Sequence, residues 1–186
     1  MRIIGGKWRG RRLTNFPKSN LFSALRPTTD RGRETIFNIL EHGLVFDFRG
    51  ARVLDLFCGT GALGFEALSR GAEIGCFIDS GKGSLRLVRN NKLILDANLE
   101  ATIIEQDLTK LNQNDGSPYN LIFLDPPYGK RLGEHVLRLA IKKDWVSKDA
   151  VIVWEERNEV FPPEEFQLIK TRSIGNSCLS FLKRCD

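Results

Sequence analysis

Short apolar runs alternate with amphipathic helical patterns along most of the chain, and this alternation constrains the fold more than any other feature. The apolar runs predict β-strands at 53–57, 74–78, 102–104, 121–124 and 151–154. The patterns between them predict helices at 62–70, 84–97 and 134–142. Strands that alternate with helices form βαβ units with right-handed crossovers, and such units build a parallel sheet.

Two further predicted strands, 166–171 and 178–183, lie near the C-terminus. They are too close in sequence for a crossover helix, so one of them must run antiparallel. The sequence therefore predicts an α/β protein with a doubly wound, mostly parallel sheet and one antiparallel edge strand. In sheets of this kind the ligand lies outside the carboxyl ends of the strands, so we expect the functional residues there.

A glycine-rich turn connects the first predicted strand to its helix and reads DLFCGTGALG from Asp55 to Gly64. Gly59 and Gly61 permit a tight turn and a ligand close to the backbone. Their spacing with Gly64 also fits the dinucleotide fingerprint, so the turn alone does not separate a nicotinamide enzyme from a methyltransferase. Asp55 favours the methyltransferase, because a carboxylate suits the cationic amino-acid end of S-adenosylmethionine and repels a pyrophosphate.

Two more acids follow predicted strands at the same edge of the sheet. Asp79 ends the second strand, where it can accept both ribose hydroxyls, and Asp107 follows the third, where it can meet an adenine amino group. Each could instead be a solvated acid at the end of a strand. The remaining predicted cofactor contacts in these loops are Phe57, Thr60 and Leu108.

The segment Asp125-Pro126-Pro127-Tyr128 follows the fourth predicted strand. It distinguishes between the two interpretations of the glycine turn, a nicotinamide enzyme and a methyltransferase. The prolines end the strand and stiffen the backbone. The Asp125 carboxylate and the Pro126 carbonyl are acceptors that can hold the two protons of an amino group, and Tyr128 offers a ring on which a base can stack. The alternative is a rigid turn with an exposed aromatic ring. A dehydrogenase has no use for this element, so the motif favours methyl transfer.

Positive charge is concentrated at the N-terminus. Residues 1–33 carry nine basic side chains and one acid, in a chain whose net charge is +5, so the remainder is slightly acidic. A basic segment of this kind attracts the phosphates of a nucleic acid. The predicted nucleic-acid contacts are Lys7, Arg9, Arg11, Arg12, Arg26 and Arg31. The alternative is a solvated tail that keeps the protein soluble.

Composition points away from membrane, secreted and metal-binding proteins. The four cysteines show no C-x-x-C spacing and lie far from both histidines, which argues against a zinc site and against a disulfide framework. No apolar run approaches the roughly 20 residues that span a bilayer. The first residues lack the apolar core of a signal peptide. We therefore expect a cytoplasmic protein that binds neither membrane nor metal.

These motifs resemble a known group of enzymes. The glycine turn with Asp125–Tyr128 is similar to the class I amino-methyltransferases, which act on DNA adenine and cytosine, RNA guanine or protein glutamine. Residues 1–13 (MRIIGGKWRGRRL), 25–40 (LRPTTDRGRETIFNIL) and 61–72 (GALGFEALSRGA) are more specific. They resemble the RsmD family, the 16S ribosomal RNA guanine-N2 methyltransferases.

The resemblance implies a seven-stranded, Rossmann-like methyltransferase domain over residues 28–186 and a basic N-terminal hairpin extension over residues 1–27. It implies S-adenosylmethionine as cofactor, with S-adenosylhomocysteine as product, and a guanine of 16S ribosomal RNA in the assembling 30S subunit as substrate. Separately, we expect the protein to be a monomer. It also places Thr28 beside the cofactor pocket. Asp79 stands where the family commonly has Glu, and the shorter acid should still reach the ribose hydroxyls.

Two other functions stay open on the sequence. A DNA amino-methyltransferase would share the Asp125–Tyr128 motif, but we see no extra domain that could read a DNA sequence, and phosphate contacts position without specifying. A non-catalytic RNA-binding assembly factor would require a dead cofactor pocket, yet the glycine turn and all four acids are present.

Overall fold

The computed structural model describes residues 1–15, 29–128 and 132–185, and the predicted site residues Arg26 and Thr28 lie outside them. Seven strands form one sheet: β1 Arg52–Leu56, β2 Ile74–Asp79, β3 Ala101–Glu105, β4 Tyr119–Leu124, β5 Val146–Glu156, β6 Phe166–Ile174 and β7 Ser177–Arg184. Within these residues, four α-helices cover it: α1 Asp30–Asn38, α2 Ala62–Ser69, α3 Lys82–Leu95 and α4 Leu132–Lys142. The predicted α/β fold class is confirmed.

The strand order is β3-β2-β1-β4-β5-β7-β6. The first five of these strands are parallel, and β7 is antiparallel to both of its neighbours. The antiparallel strand therefore lies one place in from the edge, and β6 forms the edge itself. The reason is the route of the chain, which crosses outward from β5 through residues 157–165, forms β6, and returns through a tight turn at Gly175.

Apolar side chains on both faces of the sheet explain why its central strands are buried. In β1, Val53 packs into the cluster beneath α1, α2 and α3, whereas the next residue, Leu54, packs into the cluster beneath α4. Strands covered on both faces are typical of doubly wound sheets. Within the described residues, no helix is both long enough and apolar enough to cross a bilayer.

Residues 1–15 form an N-terminal hairpin that packs against α2 and α3. The Ile3 N–H donates to the Arg11 carbonyl and the Gly10 N–H to the Ile3 carbonyl, each at 2.9 Å. Ile3, Trp8 and Leu13 are buried in the same cluster as α1 and α2. The basic hairpin is therefore anchored to the body by its apolar residues, while most of its charged side chains stay in solvent.

Candidate active site

The candidate site lies at the carboxyl ends of β1 and β4, where the strand order predicts a crevice. β1 pairs in parallel with β2 on one side and with β4 on the other. Strands β2 and β3 lie on one side of β1, and strands β4 and β5 lie on the other. The loops that follow β1 and β4 can therefore separate. A topological switch point of this kind is where doubly wound sheets bind their ligands. The structure brings the glycine turn and the Asp125–Tyr128 segment to opposite sides of this crevice.

The cofactor loop, residues 57–61, is tightly packed on one side and open on the other. Phe57, Gly59 and Gly61 all adopt positive φ, at 59°, 54° and 74°. A side chain at Gly61 would come within 2.7 Å of the Val88 side chain, so glycine is required for the close approach to α3. A side chain at Gly59 would meet only the Phe57 carbonyl, at 4.0 Å. The backbone at Gly59 is therefore accessible to a ligand.

Asp55 lies at the end of β1, beneath the cofactor loop. Its carboxylate is 4% exposed and accepts a hydrogen bond from the Gly64 N–H at 3.0 Å. Burial raises the pKa of Asp55 to about 8, and the nearby charge of Asp79 acts in the same direction, whereas the Gly64 bond acts against both. A positively charged ligand group would favour the ionised form, because an opposite charge nearby stabilises a carboxylate.

Asp79 joins the two loops on the cofactor side of the crevice. One carboxylate oxygen accepts the Gly59 N–H at 3.0 Å, and the other accepts the Gly81 N–H at 2.7 Å. Each oxygen keeps a second lone pair. The side chain is half-buried and can therefore accept ribose hydroxyls while it holds both loops.

The loop after β3 supplies Asp107 and Leu108. Asp107 is exposed, and one of its oxygens accepts both the N–H and the hydroxyl of Thr109, at 2.9 and 2.8 Å. These hydrogen bonds lower the pKa of Asp107 and keep it ionised. Leu108 is buried and fixes the loop against the sheet. The second Asp107 oxygen receives no hydrogen bond from the described part of the chain.

Thr60 contacts the N-terminal hairpin and α3. Its side chain is buried, and its hydroxyl lies 4.0 Å from the Met1 sulfur. Its carbonyl accepts a hydrogen bond from the Asn91 side chain at 2.9 Å. The geometry thus gives Thr60 a part in holding the loop.

Asp125 follows β4, where its N–H donates to the Leu56 carbonyl at 3.5 Å. Burial raises the pKa of the Asp125 carboxyl well above its usual range, and the negative charges of Glu155, Asp55 and Glu156 add to the shift. Across residues 1–15, 29–128 and 132–185, no group donates a hydrogen bond to this carboxylate. Asp125 is therefore a half-buried acceptor whose hydrogen-bonding capacity is left for a ligand.

Tyr128 and Glu155 form the outer part of the same side. The Tyr128 hydroxyl donates to Glu155 Oε1 at 3.0 Å, and the Ser177 hydroxyl donates to the same oxygen at 2.8 Å. The tyrosine remains 41% exposed, so a base can reach it. Pro126, the residue after Asp125, is buried. Sequence reasoning missed Glu155, although it follows the fifth predicted strand and the strand-end rule could have found it.

Two basic residues of the N-terminal hairpin, Lys7 and Arg11, lie away from the crevice. Lys7 pairs with Glu100 at 3.0 Å, and the Arg11 side chain donates to the Ile94 carbonyl at 3.2 Å. Both partners lie near the end of α3, at the edge opposite the candidate site. Further predicted contacts on the surface are Arg9, Arg12 and Arg31, all exposed.

Two basic side chains that sequence reasoning missed lie closer to the crevice. Lys82 and Arg86 are exposed on the first turns of α3, which begins beside the ligand edge of the sheet. Their spacing of four residues places them on one face of the helix. They extend the positive surface of the hairpin toward the candidate site.

The arrangement fits S-adenosylmethionine. Asp79 offers acceptors for a ribose, Asp107 offers a free oxygen for an adenine amino group, and Asp55 offers a carboxylate for an ammonium group. The open backbone face at Gly59 lets such a ligand approach the loop. Across the crevice, Asp125 and Tyr128 supply an acceptor and an aromatic ring, which suit an amino group on a planar base.

The chain resembles known proteins along most of its length. The family described as Conserved hypothetical protein 95 matches residues 1–183. The ribosomal RNA small subunit methyltransferase D of Escherichia coli K12 is 39% identical over 160 residues, which cover 86% of this chain and 76% of that protein. The protein of the same name from Haemophilus influenzae is 36% identical over 180 residues, which cover 94% and 89%.

Solved structures show the same likeness along nearly the whole chain. The yhhF protein of Escherichia coli has a TM-score of 0.82 and 35% identity, and the match covers 99% of this chain and 97% of that one. The TTHA0928 protein of Thermus thermophilus has a TM-score of 0.76 and 26% identity, with 97% and 98% covered. The resemblance inferred from the sequence is confirmed. The chain belongs to the family described as Conserved hypothetical protein 95, the RsmD family, together with the small-subunit ribosomal RNA methyltransferases D.

Proposed function

We propose that this protein transfers a methyl group from S-adenosylmethionine to the exocyclic N2 amino group of a guanine in 16S ribosomal RNA. The relatives named ribosomal RNA small subunit methyltransferase D support the class of reaction and the class of substrate. The observation that carries the proposal is the Asp125 carboxylate, a half-buried acceptor that receives no hydrogen bond from the described residues and lies close enough to Asp55 for their charges to interact.

The cofactor side of the crevice binds and orients the methyl donor. Asp79 accepts the ribose hydroxyls, Asp107 the adenine amino group, and Asp55 pairs with the ammonium group. Phe57 and Leu108 shape the apolar part of the pocket. The sulfonium of S-adenosylmethionine supplies an already activated methyl group, so the protein contributes mainly position and orientation.

The substrate side holds the nucleophile. The Asp125 carboxylate and the Pro126 carbonyl accept the two N–H protons of the amino group, which directs the nitrogen lone pair toward the methyl carbon. The new C–N bond forms as the C–S bond breaks, and the sulfur keeps the bonding electron pair. The nitrogen then releases one proton, which Asp125 can accept. The amino group that donates to this carboxylate favours its ionised form, and the raised pKa makes that form a stronger base.

The RNA is held by stacking and by charge. A guanine in a helix must leave the stack before its amino group can enter a crevice, and Tyr128 provides a ring for the extruded base. Glu155 fixes the ring through the tyrosine hydroxyl. Arg9, Arg12 and Arg31 contact phosphates at a distance from the site, and Lys82 and Arg86 lead from the hairpin toward it.

The experiment is methyl transfer followed by identification of the product. Protein is incubated with S-adenosylmethionine labelled on its methyl group and with unmodified 30S subunits, 16S RNA or duplex DNA. We expect label in the ribosomal substrates, recovered as N2-methylguanosine by mass spectrometry of the digested RNA. Label in DNA alone, a methylated adenine or cytosine as the product, or no transfer by protein that binds the cofactor would contradict the proposal.

A further inference from the structure

Asn91 lies between the N-terminal hairpin and the cofactor loop and uses all of its hydrogen-bonding groups to join them. It belongs to α3, and its side chain is fully buried. Its oxygen accepts the Thr14 N–H at 2.7 Å, and its NH2 group donates to the Thr14 carbonyl at 3.1 Å. The same NH2 group donates to the Thr60 carbonyl at 2.9 Å. One amide thus links two segments that are far apart in the sequence.

The contact with the cofactor loop is tight around this amide. Gly61 approaches α3 at Val88, three residues before Asn91 and therefore on the same face of the helix. The Gly61 N–H also donates to the Cys58 carbonyl at 2.7 Å, which closes the turn. A shift of α3 at Asn91 would therefore displace the Thr60 carbonyl and the turn that contains Gly59.

The hairpin has other anchors that do not touch the cofactor loop. The Ile4 and Gly5 N–H groups both donate to the buried Glu66 carboxylate at 2.7 Å. The Trp8 N–H donates to the Ser69 hydroxyl at 2.9 Å. These bonds hold the hairpin against α2. Asn91 is distinct, because it holds the end of the hairpin to the loop that we assign to the cofactor.

We propose that Asn91 is a positioning residue that couples RNA binding on the hairpin to cofactor binding at the loop, an inference that rests on the function proposed above. A ligand that fixes the loop also fixes the Thr60 carbonyl, the amide and the end of the hairpin. RNA that binds afterwards loses less conformational freedom, so each ligand strengthens the binding of the other. By reciprocity the factor is the same in both directions.

The test compares RNA affinity with and without S-adenosylhomocysteine. Filter binding of labelled 16S RNA transcript gives the dissociation constant in each condition. We expect saturating S-adenosylhomocysteine to tighten RNA binding by the wild-type protein by about 5-fold or more, which is the lower end of ordinary coupling factors. In Asn91→Leu, which removes the three hydrogen bonds at similar side-chain size, the factor should fall to nearly one.

Matched variants separate coupling from loss of structure. Ser69→Ala removes a hairpin anchor without touching the cofactor loop, so it should weaken RNA binding while the coupling factor stays at the wild-type value. Thr14→Pro weakens the link from the other end, because it removes the N–H donated to Asn91 and keeps only the carbonyl as a partner; Thr14 lies outside every helix and strand. It should lower the coupling factor, whereas Thr14→Ala, which keeps both backbone groups and loses only the hydroxyl bonded by Asn90, should preserve it. Thr14→Pro also decides the matter if Asn91→Leu does not fold.

Two failures can be told apart with the same reagents. Wild-type protein that binds no S-adenosylhomocysteine and methylates no RNA would overturn the proposed function, and this inference with it. Wild-type protein that methylates the transcript but binds it equally well with and without S-adenosylhomocysteine would overturn the inference alone. Coupling that persists in both Asn91→Leu and Thr14→Pro would also overturn it.

Discussion

The carboxylates on the two sides of the crevice differ in the hydrogen bonds that they accept from the protein. On the cofactor side, Asp55, Asp79 and Asp107 each accept at least one hydrogen bond from the protein backbone. On the substrate side, Asp125 receives no such bond from the described residues and faces other carboxylates. Backbone donors orient the carboxylates of the cofactor side, whereas an unsatisfied acceptor is a place where a ligand's own N–H groups complete the hydrogen bonding.

This difference predicts that Asp125 governs turnover and not cofactor affinity. Asp125→Asn keeps the size of the side chain but replaces one acceptor oxygen by a donor that opposes the incoming amino group. We expect kcat for RNA methylation to fall by about 10²- to 10³-fold, the usual range for loss of one preorganised transition-state contact. The dissociation constant of S-adenosylhomocysteine, measured by calorimetry, should change by less than about 3-fold. In binding free energy this is about half of the difference that a tenfold change makes.

Asp115→Asn is the matched control for this variant, since Asp115 is exposed in the turn before β4, at the other end of the strand. It should leave both quantities at wild-type values. Turnover of Asp125→Asn near that of Asp115→Asn would break the contrast between the two sides.

Asp79 should show the opposite pattern. Asp79→Ala removes the ribose acceptor and leaves the Gly59 and Gly81 N–H groups without their partner, so the two loops lose their connection. We expect S-adenosylhomocysteine to bind about 10- to 100-fold more weakly, which corresponds to about 1.4–2.8 kcal/mol. Asp107→Ala, at an exposed position, should weaken binding less than Asp79→Ala. Equal losses in the two variants would contradict the linking role of Asp79.

Tyr128 allows the stacking ring and the hydroxyl to be tested separately. Tyr128→Ala removes the ring, and base–aromatic stacking contributes about 1–3 kcal/mol, so KM for RNA should rise by about 5-fold or more. Tyr128→Phe keeps the ring and removes only the hydrogen bond to Glu155, and KM should rise by less than about 3-fold. If Tyr128→Phe were as impaired as Tyr128→Ala, the hydroxyl and not the ring would be the functional group.

The smallest effect concerns the pH dependence of stability. Burial raises the pKa of Asp55 to about 8, whereas an aspartate in the unfolded chain titrates near about 4. Between these values the folded protein holds a proton that the unfolded chain has released, so this contribution to stability is lost as pH rises toward the folded pKa. Between about pH 5 and about pH 8, the free energy of unfolding should therefore fall less in Asp55→Asn than in the wild type. The two decreases should differ by about 1 kcal/mol or more.

Urea unfolding of the ligand-free protein at several pH values measures this difference. The comparison with Asp55→Asn is needed because Asp125 shifts in the same direction and is present in both proteins. Parallel stability curves for the wild type and the variant would mean that Asp55 is already ionised without a ligand, and that the cofactor side carries more charge than we infer.

Features that depend on one strand and the loop after it could be predicted from the sequence. The apolar runs placed β1, β2 and β4 within two residues of their observed bounds, and the rule on carboxyl ends then identified Asp55, Asp79 and Asp125 as neighbours. The order of β6 and β7 at the edge was not predictable from their spacing, since either strand could have paired with β5.

Features that depend on distant contacts were missed. Glu155 acquires its role because β7 brings Ser177 beside it, and Asn91 acquires its role because the N-terminal hairpin folds back onto α3. The position of Glu155 after a predicted strand was a signal that could have been used, whereas no local pattern marks Asn91. The basic residues were recognised by their charge, but the position of Lys7 and Arg11 away from the crevice follows from the direction in which the hairpin lies on α2 and α3, which composition does not encode.

The most direct test of the account is a crystal structure of the protein with S-adenosylhomocysteine and a target RNA fragment. We predict the exocyclic amino group of the target guanine within about 2.7–3.2 Å of the Asp125 carboxylate, with its nitrogen directed at the cofactor sulfur. A target base whose amino group is held by other residues, with Asp125 turned away from the cofactor, would contradict the central claim.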